Sequence, residues 1–244
     1  MNNKENWKPT KYIYKKGRLI ASRDKKEVGI GSRLLADIIA EFYDTNLKKY
    51  AKGKLLDLGC GKVPLYHAYK DYVSDNICVD WKMNNYLDFE HNLSKPLPFP
   101  DNEFDTIILS DVLEHIYRPE LLWKEMYRIL SPHGKIIMNV PFFYWIHAYP
   151  YDFHRYTEFA LKQYVEDSRF KLILLERIGG IPEILTDIFA KTTMTIPLIG
   201  KSLSTFAQFI TKLFVKTSIG KRISQKTSRL FPLGYFLIAE KSFI

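Results

Sequence analysis

Cysteine is scarce in this sequence: Cys60 and Cys78 are the only two in 244 residues, and they form no CxxC pair. A disulfide framework is therefore not expected, and a reducing compartment is. Long apolar runs are also missing. Nothing approaches the roughly 20 residues that a spanning helix needs. The opening "MNNKENWKPTK" has no apolar stretch of the kind a secretory signal carries. A cytoplasmic protein is expected, with membrane contact left open only as attachment to a surface. There is no internal repeat and no low-complexity block.

Positive charge is abundant. The net charge is +9, which suits acidic partners such as nucleic acid, anionic lipid or phosphorylated substrates. It concentrates in two places. One is the N-terminal segment, with Lys4, Lys8, Lys11, Lys15, Lys16, Arg18, Arg23, Lys25 and Lys26. The other runs from Lys191 to Arg229, against only Glu183 and Asp187. Apolar content of 46% and charged content of 26% are globular values, and the length suffices for one large α/β domain.

Apolar periodicity supplies the elements. "SRLLADIIAEFYDTNLKKYA" has helical spacing, with Ser32 as a candidate cap. "KLLDLGCG", "NICVD", "FDTIILS", "KIIMNV", "FKLILLER" and "GYFLIAEK" are strands, and a weakly marked one lies near "YLDF". "PELLWKEMYRIL" is an amphipathic helix with Pro119 in its first turn, and another helix lies near "TEFALKQYVEDS". Strands alternating with helices imply a parallel sheet covered on both faces. About fifty residues separate the last two strands, too many for a structureless loop. Ile184, Leu185, Ile188, Phe189, then Phe206, Phe209, Ile210, Leu213 and Phe214 recur there at helical spacing.

"LLDLGCGKVP" places Asp57, Gly59 and Gly61 at the carboxyl end of the first core strand, where open α/β sheets bind ligands. Glycine lets backbone approach a ligand closely. Roughly twenty residues on, Asp80 ends the next strand and offers a carboxylate to a ribose diol. A dinucleotide site wants a third glycine to seat pyrophosphate on a helix N-terminus. Here Lys62, Val63 and Pro64 follow instead, so a ligand without pyrophosphate fits better.

With "CVDW", "LPFPDNEFDTIILSDVLEHI", "ELLWKEMYRILSPHGKIIMNVP" and "FPLGYFLIAEK" in order and spacing, the chain resembles the class I S-adenosylmethionine-dependent methyltransferases. It also resembles a subgroup carrying "PF.Y..H..P.D..RYT" after the fifth strand. The resemblance implies a Rossmann-like three-layer α/β/α sandwich, mostly parallel, with an antiparallel last strand and a helical insertion before it. It implies S-adenosylmethionine as cofactor. Asp57, Gly59, Cys60 and Gly61 would line its methionine part. Asp80 would hold the ribose, Trp81 the adenine face, and Asn92 and Leu93 the adenine edge, where the family's usual residue is acidic. Ser110 would close the pocket floor with Asp111, and His115 follows in the same motif beside Glu114. One domain is expected: an N-terminal cap and helix over 1–50, the core over 51–180, a basic amphipathic insertion over 181–232, and a final strand over 233–244.

The polar cluster "HAYPYDFHRYT" falls after the fifth strand, on the same sheet edge. Methyl transfer is largely positioning, and a hydroxyl acceptor also benefits from a base, for which histidine suits neutral pH. His147 is the first candidate base and His154 the second, with Asp152 as the group that orients an imidazole. Arg155 either binds an acidic group on the acceptor or pairs with Asp152. Tyr151, Phe153 and Tyr156 are candidate walls. A purely structural loop, in which Asp152, Arg155 and Tyr156 bond one another, is the competing reading. No metal is expected: His147, Asp152 and His154 lack a standard ligand spacing.

An Asn/Asp-Pro-Pro-aromatic sequence is absent, which argues against the amide and base N-methylating families. Transfer to oxygen of a small or glycan-like acceptor is therefore expected, the glycan preference resting on the subgroup alone. The insertion has three readings: a lid with solvated lysines outside, attachment to an anionic membrane surface, or nucleic-acid binding, the last being the weakest. A lipid-linked saccharide acceptor accords with the second. The N-terminal basic segment is a candidate cap over the cofactor, hinged at Gly29 and Gly31. A nicotinamide-dependent oxidoreductase and a non-catalytic binding module remain as competing classes. Nothing in the sequence sets the oligomeric state.

Overall fold

A computed structural model describes residues 1–242. A hairpin of β1 (Tyr12–Lys15) and β2 (Arg18–Ala21) precedes α1 (Arg33–Tyr50). The core then runs β3 (Lys54–Leu58), α2 (Tyr66–Tyr69), β4 (Asp75–Asp80), β5 (Phe89–Glu90), β6 (Phe104–Ser110), α3 (Pro119–Ile129), β7 (Leu130–Pro141), α4 (Glu158–Asp167) and β8 (Phe170–Ile178). Three helices follow, α5 (Ile181–Thr193), α6 (Gly200–Phe214) and α7 (Ser218–Thr227), before β9 (Gly234–Lys241). β9 falls within the segment 233–244 expected as the final strand, whose last two residues lie outside the described ones.

The main sheet has strand order β5-β4-β3-β6-β7-β9-β8. All pairs are parallel except those of β9, which runs antiparallel to both β7 and β8. The weakly marked strand near "YLDF" is β5, only two residues at the sheet edge. Its brevity is why no alternation announced it. Leu55, Ile108, Ile137 and Ile238 pack under α1 and α2 on one face. Leu56, Ile107, Met138 and Leu237 pack against Trp123 and Met126 of α3 and Leu161 and Val165 of α4 on the other. This is the three-layer sandwich, built because strands buried on both faces need apolar residues at every position.

Strand order reverses between β3 and β6. Ligands of open α/β sheets bind in the crevice such a reversal leaves at the carboxyl ends. That places the turns after Leu58 and after Ser110 side by side.

Two local expectations are revised. Ser32 does not cap α1; its hydroxyl pairs with the Tyr144 hydroxyl at 3.3 Å. Gly31 is no free hinge, since a Cβ there would meet the Ala190 carbonyl at 3.1 Å. Its small size admits the close approach of α5.

The insertion is helical as expected, but its burial is inverted. On α6 the buried positions are Gly200, Ser204 and Gln208, while Phe206, Phe209, Ile210 and Leu213 face outward. Gln208 takes the place of an apolar anchor. Its Oε1 accepts from Leu34 N–H at 2.8 Å, and its Nε2 donates to the Ile30 carbonyl at 2.7 Å.

This contrast is measurable. Gln208→Leu strands a buried N–H and a carbonyl and is expected to cost about 2–4 kcal/mol despite its larger apolar side chain. Phe209→Ser should stay within about 0.5 kcal/mol of the parent in chemical denaturation. The reverse ranking would mean that α6 packs through its aromatic face.

Candidate active site

The glycine turn leaves β3 with Gly59 in the left-handed region at φ 67, where a Cβ would strike Val112 Cγ2 at 2.5 Å. Both conformation and space therefore demand glycine. Asp80 fastens this turn: one carboxylate oxygen accepts from Gly61 N–H and the other from Trp81 N–H, each at 2.7 Å.

A chamber of about 350 Å³ opens here, within the range of small-ligand sites of roughly 300–1,000 Å³. Gly59, Asp80, Trp81, Asn92, Leu93 and His115 all line it, as the sequence suggested. Trp81 is exposed and meets the Tyr151 ring edge-on at 4.7 Å, giving the chamber an aromatic wall with Phe153. Asn92 Oδ1 accepts from Ser94 N–H.

Asp57, Cys60, Gly61 and Ser110 do not line this chamber; they support it. Cys60 is buried, and Gly61 is bound to Asp80. The Ser110 hydroxyl donates to Asn139 Oδ1 at 3.0 Å, and it is Asp111 that reaches the wall. Asp57 lies buried beneath the turn, 3.5 Å from the Tyr69 hydroxyl. Burial, and then the Asp80 charge, push its carboxyl up to about 8. The Asp80 carboxylate on the chamber wall, with the Asp57 carboxyl beneath it, gives the site an acidic side that suits a cationic ligand, and S-adenosylmethionine carries a sulfonium and an ammonium. Chamber size, aromatic wall and charge all fit that cofactor.

A second chamber of about 300 Å³ adjoins the first, lined by Lys11, Val28, Asn139, Tyr144 and His147, and it shares Asp111 and His115 with it. The N-terminal segment closes this inner chamber rather than the one beside Asp80. Lys11 Nζ bonds Asp111 Oδ2 at 2.9 Å, and Asp111 Oδ1 accepts from Asn139. Burial would lower the Lys11 ammonium, but Asp111 outweighs it and the charge is held.

The strap from Phe142 to Thr157 forms the remaining wall. Asp152 accepts two bonds from Arg155, at 2.5 and 2.8 Å, and one from His147 N–H at 2.9 Å. The guanidinium holds the Asp152 carboxyl well below the usual carboxylate range. Arg155 also donates to the carbonyls of His154 and Trp145, so it braces the strap. Tyr156 is buried, and its hydroxyl donates to the Leu113 carbonyl at 3.0 Å. His154 faces an outer groove and sits 3.3 Å from the Tyr117 carbonyl. Of the five residues proposed for catalysis, only His147 reaches the inner chamber. Asp152 positions it; Arg155, Tyr156 and His154 do not touch that space.

Sequence reasoning gave Glu114 no role. Its side chain is fully buried, both oxygens lack hydrogen-bond partners, and Oε1 stands 3.7 Å from both His115 Nε2 and His147 Nε2. The opposite ring nitrogens face acceptors: His115 Nδ1 the Tyr151 carbonyl at 2.7 Å, His147 Nδ1 the Asp152 carboxylate at 3.3 Å. Those nitrogens therefore carry the protons of the neutral rings, and two imidazole lone pairs converge on a carboxylate. Such a cluster needs a cation, either a proton or a metal ion. Glu114, His115 and His147 are the group among the described residues whose ligand atoms approach closely enough for a metal, within 4.8 Å of one another. This set differs from the His147, Asp152 and His154 considered from sequence. Burial raises the Glu114 carboxyl, and the adjacent Glu114 raises His147. A motif "DVLEHI" signals these residues only once His147 is known to fold back onto them.

Residues 56–138 match the methyltransferase domain family. A protein of Methanocaldococcus jannaschii, MJ0638, is 34% identical over 113 residues, 43% of this chain and 49% of that protein. The demethylmenaquinone methyltransferase of Renibacterium salmoninarum is 27% identical over 94 residues, 35% of this chain and 40% of that enzyme. The chain thus spans about half, or less, of the length of these curated relatives. Among solved structures, the [4+2]-cyclase SpnF aligns with a TM-score of 0.56 at 15% identity, over 87% of this chain and 84% of that one. An S-adenosylmethionine-dependent methyltransferase from Archaeoglobus fulgidus aligns at 0.51 and 16%, over 82% and 94%. These structures share the fold; that one of them is a cyclase shows that the fold alone does not fix the reaction.

The Asp57 environment has a measurable consequence. Its folded pKa lies above the unfolded value, so folding binds its proton and this contribution to stability is lost as pH rises from about 4 to about 8. Asp57→Asn should therefore show a shallower decline of Tm across that window than the parent. Parallel curves would place the Asp57 pKa near its ordinary value.

Proposed function

We propose that this chain, whose residues 56–138 match the methyltransferase domain family, is a class I methyltransferase that binds S-adenosylmethionine in the chamber beside Asp80. It transfers the methyl group to an oxygen of a small or glycan-like acceptor in the inner chamber. The observation that carries this reading is the shared wall: Asp111 and His115 line both chambers, so ligands in the two spaces meet there. When bound, the cofactor supplies an electrophilic methyl group on a sulfonium, already a good leaving group.

The chain's own residues position and deprotonate. Asp80, fixed by the amides of Gly61 and Trp81, would hold the ribose, and Trp81, braced edge-on by Tyr151, would lie against the adenine. Lys11 and the Glu27–Gly29 stretch cover the inner chamber and restrict water. His147 takes the acceptor's proton at Nε2. Asp152 holds the ring by Nδ1, and Glu114 stabilises the imidazolium that forms. His115, across the same carboxylate, shares the proton.

Relatives named as a demethylmenaquinone methyltransferase and as a ubiquinone/menaquinone biosynthesis C-methyltransferase, the latter 40% identical over 45 residues, suggest a carbon acceptor as the second reading. The matched family segment ends at residue 138, before the strap that would meet the acceptor, so it does not decide between them. An imidazole held between two carboxylates suits hydroxyl deprotonation and favours oxygen. A cytoplasmic setting is proposed from the two free, buried cysteines. A nicotinamide site is disfavoured by Lys62, Val63 and Pro64 where the third glycine would stand.

Calorimetry tests the cofactor: micromolar binding of S-adenosylmethionine, lost in Asp80→Ala, is expected. A folded protein that binds neither it nor S-adenosylhomocysteine would be a binding module instead.

With an acceptor found by a labelled-methyl screen, the rate should rise with pH, because only neutral His147 accepts a proton. Its midpoint should lie above the ordinary imidazole range, since Glu114 raises that group. Glu114→Gln should move the midpoint down, and His147→Ala should lower kcat by about 10²–10⁴-fold. An unmoved midpoint would remove the cluster from proton transfer. Activity should withstand a chelator; loss on chelation, restored by a divalent ion, would make Glu114, His115 and His147 a metal centre.

A further inference from the structure

The insertion α5–α7 turns its apolar side chains away from the protein. Leu185, Phe189, Phe206, Phe209, Leu213 and Ile219 are all exposed, Phe206 at 64% and Ile219 at 70%. What the helices bury is largely small or polar: Thr186, Asp187 and Thr193 on α5, Gly200, Ser204 and Gln208 on α6, and Gly220 on α7. An amphipathic helix that packs through its polar face leaves the apolar one for something else.

Of the eight basic residues from Lys191 to Arg229, the Lys191 side chain is only 7% exposed and Lys212 pairs with Asp37, which leaves Lys201, Lys216, Lys221, Arg222, Lys226 and Arg229 exposed, against Glu183 and Asp187, which are both buried. Glu183 is bonded to Gly180 N–H and Ser224, and Asp187 to Lys191, so neither offsets the outer charge. No helix among the described residues is long and apolar enough to cross a membrane.

We infer that the outward face of α5–α7 docks on an anionic lipid surface. Exposed Phe, Leu and Ile enter the acyl boundary while Lys and Arg reach the headgroups, the arrangement that holds interfacial helices. A second copy fits less well, because a self-complementary contact sets one basic face against another. Nucleic acid fits less well because only the phenylalanines of this face could stack on bases, while Leu185, Leu213 and Ile219 would stay exposed to water.

The face is continuous with the outer groove of about 560 Å³. Ile188 and Thr192 of α5 line that groove with Trp145 and Ile146 of the strap, both exposed. Tyr144 lines the groove on one side and the inner chamber on the other. An acceptor carried in the lipid surface would arrive at that wall; this clause alone rests on the methyl-transfer reading.

The test is co-sedimentation of the full chain with vesicles of equal phosphatidylcholine and phosphatidylglycerol. Binding at low salt, weaker at high salt and absent from pure phosphatidylcholine, is expected. The triple variant Phe206→Ser, Phe209→Ser, Leu213→Ser should weaken it at least about tenfold, given roughly 0.8 kcal/mol per buried CH₂. Its far-UV spectrum and S-adenosylmethionine affinity should be unchanged. Absence of vesicle binding overturns the proposal, as does binding that the triple variant leaves intact. A dimer in ultracentrifugation that the variant dissolves, without lipid binding, would assign the face to a second copy. Cofactor affinity is read separately, so failure of docking leaves the methyltransferase reading standing.

Discussion

The short turn Leu113–His115 holds the site together. It follows β6 at the strand-order reversal, and three of its groups capture the strap that returns over it. The Leu113 carbonyl accepts the Tyr156 hydroxyl, the Glu114 carbonyl accepts the amides of Phe153 and His154, and the His115 ring meets the Tyr151 carbonyl. A loop at a sheet edge would otherwise carry little order. Pinned here, it gives two chambers a common wall and brings His147 from a distant segment to the Glu114 carboxylate.

Charge in the site is arranged by level. At the base, burial and then the neighbouring Asp80 charge raise the Asp57 carboxyl. At the shared wall, Asp111 is already balanced by Lys11 and Asn139. Above it, Asp152 is saturated by Arg155 while Glu114 is left without hydrogen bonds. Similar carboxylates therefore differ in what they can do. Asp152 is a fixed anchor; Glu114 responds to the protonation of two imidazoles. A buried pair of this kind is costly unless it serves a switchable charge, which is why such pairs concentrate where protons or cations move.

The strands, the glycine turn and the acid ending β4 were legible because each rests on local chemistry: an apolar run, a left-handed turn, a carboxylate at a strand end. Trp81, Asn92 and Leu93 line the chamber beside Asp80. Ser110 and Asp111 were harder to separate, since a one-residue step decides which side chain enters the chamber and which turns to Asn139. The strap was misjudged residue by residue. Composition marks His147, Asp152, His154, Arg155 and Tyr156 as equally polar, yet they divide between the chamber, the bracing of the loop, and the outer groove. Glu114 was passed over for the opposite reason: its role depends on a residue over thirty positions away, which no local pattern displays.

The insertion shows a different limit. Helical periodicity fixes that one face is apolar and one polar, but not which of them meets the protein. The usual inference places the apolar face inside, because burying it is the main source of helix stability in a folded chain. Here Gln208, with its bonds to Leu34 and Ile30, and the close approaches at Gly31 and Gly200 replace that source. Small side chains and paired polar groups let the helices sit close without apolar burial, much as they do between helices in lipid. The apolar area left outside is then stabilising only in contact with another apolar phase. Aromatic surface held outward by directed hydrogen bonds, with basic residues around it, is the pattern on which the proposed docking to an anionic surface rests.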